Sequence, residues 1–271
     1  MSGSPAELSP HQTLSNFDGK GFRCLEFQQP AGHVIQKHFH SSPILLFVFA
    51  GSITERIQNR WNEYRPASVV LRPAGESHTH HYGNRGVHCL AVEIGSEILG
   101  EFPEAAKQCE TYSFTSDGSS FSNGLRLWRT IHRLDSARSI TAEELLLRTL
   151  NGFLPPFACS TNIAPRWLRQ AVEIIHESFL EDLTLSGIAK NAGVHPVYLA
   201  DTFRKFYGST VGNTIRKLRL DHAIQQLIHT ELSITEIALE SGFFDHSHFT
   251  NFVRQRTGLT PSALRKVTTA I

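Results

Sequence analysis

The sequence predicts an α+β protein of two domains, a small β-barrel followed by an all-α domain with two helix-turn-helix motifs. A chain of 271 residues is long enough to build two hydrophobic cores. Between residues 22 and 94, short apolar runs such as "ILLFVFAG", "SVVLRP" and "HCLAVEIG" are separated by Gly, Pro and Asn, which is typical of strands. The last third instead repeats one helical pattern at an offset of about 50 residues.

The repeat pairs residues 184–208 with residues 233–258. Each copy has a hydroxyl cap (Thr184, Ser233), a short amphipathic helix, a glycine turn (Gly193, Gly242) and a second helix. Ser233 and Glu236 have the spacing of a capping box. After the glycine the offset grows from 49 to 50, so the second turn contains one extra residue. In the second helices, an apolar face is predicted from Tyr198, Leu199 and Phe203, and from Phe249 with Phe252 or Val253.

A long helix is predicted between the copies, from Val211 to His229, because one apolar stripe runs through it without an internal Gly or Pro after Gly212. At 1.5 Å per residue this rod would be roughly 27 Å long. One turn of B-DNA separates equivalent major-groove positions by about 34 Å. A rigid connector of this length can therefore present both second helices to one face of a duplex.

Residues 167–267 resemble the DNA-binding domain of AraC/XylS-type transcriptional regulators. The matching elements are "IAKNAGVHPVYLADTFRKFYG", "RKLRLDHA", "ITEIALESGF" and "GLTPSALR". The resemblance implies a seven-helix domain that places two recognition helices in the major groove of double-stranded DNA. It also implies contact with RNA polymerase, and activation is the commoner outcome in that family. The chain departs from the family pattern at Asp201, where a basic residue is usual, and at Val211, Leu264 and Val253.

The DNA contacts implied by the resemblance lie on the two second helices. In the first, the helix that starts at His195 is predicted to bind DNA, with Val197, Ala200, Asp201 and Thr202 facing the bases and with Arg204 and Lys205 nearby as phosphate contacts. In the second, the predicted residues are Asp245, His246, Ser247, Thr250 and Asn251, with Arg254 nearer the backbone. Asn is suited to adenine and Asp can accept from cytosine N4.

The amino-terminal strands resemble a cupin. Gly32, His38, His40 and Gly51 match the first cupin motif, and Pro73, Gly75 and His78 match the second. In metal-binding cupins the corresponding histidines and a glutamate hold a divalent ion, but Ile44 stands at the glutamate position and Tyr82 replaces the closing asparagine. The resemblance implies a sensor barrel for a small-molecule effector.

Three interpretations of the histidines remain open. His38, His40 and His78, with Arg72 for an anionic group, are predicted to line an effector pocket. The same three imidazoles suit a divalent metal such as Zn, Fe, Ni or Cu, although the expected carboxylate is missing. In the third interpretation these histidines, with His80 and His81, lie at the mouth of the barrel. The effector pocket is preferred because many members of the resembled family carry a cupin-like sensor that binds an effector.

Between the two domains, residues 125–134 and 141–154 have the apolar stripes of two helices, and Thr141 with Glu144 suggests a capping box. The family resemblance makes these helices candidates for a homodimer contact. The prediction therefore assigns residues 1–95 to the barrel, 96–154 to a helical segment, 155–165 to a linker and 166–271 to the DNA-binding domain.

Composition favours a cytoplasmic protein, and the absence of a glutamate at position 44 counts against an enzyme. Four scattered cysteines and the absence of an amino-terminal signal or long apolar run argue against secretion and membrane insertion. From residue 160 onward, 12 Lys and Arg stand against 10 Asp and Glu, a net charge of +2. The preferred function is an effector-responsive regulator. The alternatives are a metal-dependent cupin enzyme with an accessory DNA-binding domain, and a ligand-independent regulator whose barrel only dimerises.

Overall fold

A computed structural model describes residues 4–5, 12–57, 60–133, 137–153 and 164–269. Its contacts divide the chain into two compact units, residues 1–153 together with 254–271, and residues 154–253. Most of the predicted linker, residues 155–163, lies outside the described residues, as does Cys159. Among the described helices, none has the length and apolar character needed to cross a membrane.

The amino-terminal part of the chain is built on one sheet. Its strands are β1 (Ser4–Pro5), β2 (Gln12–Gly19), β3 (Phe22–Gln29), β4 (Val34–Phe39), β5 (Ile44–Ile57), β6 (Arg60–Tyr64), β7 (Val69–Arg72), β8 (His78–Ile94) and β9 (Ser113–Thr115). All pairings are antiparallel except β1 with β4. The long strands β5 and β8 pair along most of their length and also bind β7 and β3, respectively. This confirms the predicted strands and extends two of them.

Residues 44–50 of β5 and 89–92 of β8 are apolar and buried without interruption, so the sheet is covered on both faces here, and alternate residues of these strands share one core. Ile44, Leu46 and Val48 of β5 pack with Cys89 and Ala91 of β8, all of them buried. On the other face, Glu26 of β3 accepts hydrogen bonds from His88 Nε2 and Trp128 Nε1, both at 2.8 Å. Trp128 belongs to a helix, so this carboxylate joins a helix to the sheet.

The segment after the long strands contains α1 (Ser96–Glu101), α2 (Pro103–Gln108), α3 (Gly118–Ile131) and α4 (Arg138–Gly152). It also contributes β9, which pairs with β7, so it is not wholly helical as predicted. The predicted Thr141–Glu144 capping box is wrong. Helix α4 begins one turn earlier, Thr141 Oγ1 donates to Ala137 O within the helix, and Glu144 pairs with Arg148. Of the predicted stripes, Leu127, Ile131, Leu146 and Leu150 are buried within the chain and Phe153 is half-buried, whereas Leu134 lies outside the described residues.

Seven helices follow, as the resemblance implies: α5 (Arg166–Ser178), α6 (Leu185–Asn191), α7 (Pro196–Tyr207), α8 (Val211–His229), α9 (Ile234–Glu240), α10 (His246–Thr257) and α11 (Pro261–Thr269). Helix α8 has the bounds predicted for the connector. A separate core fills the space among α5, α6, α7 and the start of α8, where Leu168, Ile175, Ile188, Leu199 and Phe203 are buried.

Candidate functional site

The first helix pair, α6 and α7, is bounded by polar caps and left-handed glycines. Thr184 Oγ1 accepts from Gly187 N at 3.0 Å, and Gly193 turns the chain with a φ of 71°. His195 caps α7, because its Nδ1 accepts from Val197 N at 3.3 Å. Gly208, at a φ of 64°, ends α7. Thr184 therefore caps the first helix as predicted, and the His195 ring has only Nε2 left for an outside partner.

Helix α7 buries Leu199 and Phe203 and leaves its other side to solvent. The predicted contact residues are exposed at His195, Val197, Asp201, Arg204 and Lys205, and half-buried at Ala200 and Thr202. Ala200, Asp201 and Arg204 line a groove of about 270 Å³ that runs beside the start of α8. Tyr198, predicted on the apolar face, is instead 55% exposed and packs its ring 5.2 Å from that of Trp167.

The second pair, α9 and α10, repeats this arrangement. Ser233 and Glu236 form the predicted capping box, with Ser233 N donating to Glu236 Oε2 at 2.7 Å and Glu236 N donating to Ser233 Oγ at 3.2 Å. Gly242 has a φ of 74°. Asp245 Oδ1 accepts from His248 N at 2.7 Å and so caps α10.

Helix α10 buries Phe249 and Val253, which decides the alternative between Phe252 and Val253. The predicted contact residues of this helix are exposed except for Thr250: they are Asp245, His246, Ser247, Asn251 and Arg254. Thr250 is half-buried, and its Oγ1 is inaccessible to solvent and has no hydrogen-bond partner. The hydroxyl group of Thr250 is therefore not part of the surface that this residue exposes.

Arg219 of α8 holds the second pair in position. Its guanidinium donates to Gly242 O at 2.7 Å, and to Phe179 O and Glu181 O at 2.8 Å. Three carbonyl oxygens from two separate turns are thus gathered by one planar cation, which lysine could not do with the same geometry. The turn of the second pair is tied to the end of α5.

In the sheet unit, the structure brings His38, His40 and His78 together, as predicted, and adds His80. The ring centroids of His38 and His78 are 4.3 Å apart, and those of His38 and His40 are 5.1 Å apart. All four side chains are buried. Burial lowers the pKa of His78 to about 2, and burial is also the largest cause that lowers the pKa of His80 to about 4. Both imidazoles are therefore neutral near pH 7.

A carboxylate also reaches this cluster, contrary to the expectation that none is present. Glu55 of β5 is fully buried and accepts from Arg72 Nε at 2.5 Å, from His80 Nε2 at 3.1 Å and from Tyr64 OH at 2.6 Å. Burial alone would raise the pKa of Glu55, but Arg72 and His80 outweigh it and hold that pKa below its usual range. The alternation of Ile53, Glu55 and Ile57 could have placed this residue on the buried face.

Arg72 thus has a partner that the sequence did not reveal. Its charge is matched by Glu55, yet its Nη2 atom is buried and has no hydrogen-bond partner. His78 Nε2 is likewise buried and has no hydrogen-bond partner. An unpaired donor and an unpaired ring nitrogen in one buried cluster are atoms whose hydrogen bonds a polar ligand could complete.

The chemistry of the histidines also fits a metal ion. Nδ1 of His38 lies 2.8 Å from Gln36 O, and Nδ1 of His78 lies 2.8 Å from Glu76 O. A carbonyl only accepts, so in the neutral rings Nδ1 carries the hydrogen and Nε2 presents its lone pair. Nitrogen atoms of His38, His40 and His78 lie within 4.8 Å of one another, and so do ligand atoms of Glu55, His78 and His80.

Comparison with known proteins bears on the helical part. Residues 188–267 match the family described as a helix-turn-helix domain. The C-terminal segment is a helix-turn-helix domain of the AraC/XylS type. The transcriptional regulator GlxA of Rhizobium meliloti is 34% identical over 99 residues, which cover 36% of this chain and 31% of GlxA.

Two further similarities were found. YobQ of Bacillus subtilis, an uncharacterized helix-turn-helix-type transcriptional regulator, is 26% identical over 84% of this chain and 88% of its own length. The C-terminal domain of AraT from Geobacillus stearothermophilus is 28% identical, with a TM-score of 0.39, and covers 41% of this chain and 92% of that domain. GlxA and other relatives of the AraC/XylS-type domain are matched over only 31–48% of their own length.

Proposed function

We propose that this protein is a sequence-specific regulator of transcription that binds double-stranded DNA through both helix pairs. The observation that carries the proposal is the matched construction of α6–α7 and α9–α10. Each pair has a capped first helix, a left-handed glycine turn and a second helix whose start and outer side are exposed. The AraC/XylS-type match and the relatives named as transcriptional regulators support the same function.

In this proposal α7 and α10 enter successive stretches of one major groove. Polar side chains at the start of each helix face base edges, as recognition helices do. Arg204, Lys205 and Arg254 lie further along and meet phosphates, which gives affinity without sequence information. The net charge of +2 beyond residue 160 makes the nonspecific part of binding modest. By analogy with the family, RNA polymerase is the protein partner and activation is the outcome.

The effector site of the proposal is the buried cluster of His38, His40, His78 and Arg72. A small molecule with an acceptor for Arg72 Nη2 and a donor for His78 Nε2 would satisfy both unpaired atoms. This chemistry describes a small polar compound with an anionic or carbonyl oxygen. The sheet then acts as the cupin-like sensor that the motifs suggest.

A divalent metal is the second candidate occupant, favoured by the Nε2 lone pairs of His38 and His78. His38, His40 and His78 would hold the ion, and a bound metal would supply a Lewis acid that polarises an oxygen ligand. Metal analysis of the purified protein tests this candidate. About one zinc, nickel, copper or iron per chain, lost in His78→Ala, would support it. A metal-dependent isomerase or dioxygenase would in addition require turnover that His40→Ala removes.

The proposed function is tested by selecting DNA from a random pool with the purified full-length protein. We expect one recurring site that contains two separated blocks of sequence information. Failure to enrich any sequence would contradict the proposal. The effector is sought by thermal shift against a panel of metabolites, because a ligand that binds only the folded state raises Tm. No shift with any compound would favour the alternative in which the sheet unit only dimerises.

A further inference from the structure

The turns of the two helix pairs differ by one residue, and their hydrogen bonds identify which residue is extra. In the first turn Val194 N donates to Ala189 O at 3.0 Å, and in the second Phe243 N donates to Ala238 O at 3.0 Å. These positions correspond at an offset of 49. The caps of the following helices, His195 and Asp245, correspond at an offset of 50. Phe244, which lies between Phe243 and Asp245, therefore has no counterpart in the first pair.

The inserted residue does not serve the core. Phe243, its neighbour, is buried and packs its ring 5.1 Å from that of Phe249 and 5.2 Å from that of Phe252. Phe244 is 90% exposed, the most exposed large apolar side chain in the described part of the chain. A single exposed apolar side chain is common in proteins, but this ring can bury its surface if a partner presents an apolar group to it.

The position of Phe244 indicates which partner it contacts. It directly precedes the cap of α10, next to the exposed polar residues His246 and Ser247. The residues at the start of a recognition helix are those that contact base edges in the major groove. Among the base edges of that groove, only thymine presents an apolar group, its 5-methyl.

We propose that Phe244 is a specificity-determining residue that selects thymine in the DNA segment read by the second helix pair. Its ring packs against the thymine 5-methyl, while its polar neighbours read adjacent base edges. The first pair has no counterpart of Phe244, so the thymine dependence that this ring adds is confined to the block read by the second pair. This inference rests on the proposed DNA-binding function and assigns to it one further contact.

The test uses the full-length protein and a DNA site that the wild-type protein has selected. Each thymine of the site is replaced singly by deoxyuridine, which pairs identically but lacks the methyl group, and Kd is measured for each duplex. We expect one or two adjacent positions in one block at which deoxyuridine weakens wild-type binding about threefold to fourfold, the effect of one methyl group. Phe244→Ala should weaken binding to the parent site and be insensitive to deoxyuridine at those positions.

Ile140→Ala is the matched control, because Ile140 is 75% exposed and lies on α4, away from the helix pairs in sequence. It should leave Kd and the deoxyuridine profile unchanged. The inference would be overturned if Phe244→Ala kept the wild-type dependence of Kd on deoxyuridine. It would also be overturned if the only effect of Phe244→Ala were a changed oligomeric state in sedimentation. Wild-type protein that selects no DNA would overturn the proposed function itself, which separates the two failures.

Discussion

The two helix pairs have the same plan but differ in what surrounds their glycine turns. Both Gly193 and Gly242 lie in the left-handed region, at φ values of 71° and 74°. A Cβ added at Gly193 would meet nothing within 4 Å, whereas one added at Gly242 would lie 2.8 Å from Arg219 Cζ. The first turn therefore has free space beside its glycine, whereas in the second turn the Arg219 side chain of α8 fills that space.

This difference shows how one repeated motif acquires two roles. The first pair packs on a core that it shares with α5, and near its turn Gln170 of α5 donates one hydrogen bond to Asn191 O at 3.3 Å. The second pair is fastened to the end of α5 through the three hydrogen bonds of Arg219. Because Arg219 is part of α8, its hydrogen bonds fix the turn of the second pair to this helix and to the end of α5.

The largest expected loss of unfolding free energy comes from replacing Gly193 or Gly242 with alanine. Gly193→Ala should lower the free energy of unfolding by about 1–2 kcal/mol, the cost of a left-handed residue with a Cβ. Gly242→Ala should cost about 3 kcal/mol or more, because the methyl group also displaces Arg219 from charged hydrogen bonds worth about 1.5–3 kcal/mol each. Urea unfolding followed by circular dichroism measures both. Equal losses of unfolding free energy in the two variants would contradict the difference between the two turns.

Arg219→Ala should cost about 2–3 kcal/mol of unfolding free energy, because it leaves three carbonyl oxygens without their donor. A double-mutant cycle then sharpens the comparison. In the Arg219→Ala background, Gly242→Ala should cost no more than Gly193→Ala does in the wild type, since the clash is gone. Arg219→Lys should recover little, because one ammonium group cannot reach three divergent carbonyls. Full additivity of the two changes would show that they are not coupled.

Much of this asymmetry could not be predicted from the sequence. The repeat predicted the caps at Thr184 and Ser233 and both glycine turns, and the apolar stripe between the copies predicted the bounds of α8, because these features depend on local sequence. Arg219 was recognisable only as one of several basic residues. Its role depends on carbonyls 38 and 40 residues away in sequence, which no local pattern encodes.

The histidine cluster illustrates the same limit. Motif spacing identified His38, His40 and His78, but it also indicated that no carboxylate accompanied them. Glu55 comes from another strand, and the pairing of β5 with β8, which sets Glu55 opposite His80, brings it there. The predicted capping box in α4 was wrong for a different reason. Thr141 and Glu144 have the side chains of a capping box, but α4 begins at Arg138, so both residues lie inside the helix.

A smaller effect distinguishes base reading from phosphate contact on α10. Asn251→Ala should change sequence preference at one or two positions and weaken the selected site about tenfold, within the 1–3 kcal/mol of a good base contact. Arg254→Ala should weaken all sequences alike and reduce the salt dependence of binding. Competition binding with single-position DNA variants measures both. Equal loss on every DNA with Asn251→Ala would contradict its base-reading role.

The smallest expected effect compares the two caps. Thr184→Ala removes one hydrogen bond to the backbone and should cost about 0.5–1 kcal/mol of unfolding free energy. Ser233→Ala should cost about 1 kcal/mol or slightly more, because it also breaks the reciprocal bond with Glu236. Thermal unfolding of both variants, with Ser233→Thr as the control that keeps the hydroxyl group, measures the difference. A larger loss for Thr184→Ala would reverse the expected order.

The central claim is that both helix pairs of one chain bind DNA on the same face. Hydroxyl-radical footprinting of the full-length protein on its selected site tests this claim most directly. Two protected windows for each bound chain, their centres about 10 base pairs apart, are the predicted result, since the 19 residues of α8 make a connector roughly 28 Å long, which approaches one turn of the duplex. Protection of a single window on every selected DNA, unchanged when α10 is altered by Asn251→Ala and Arg254→Ala, would contradict the claim.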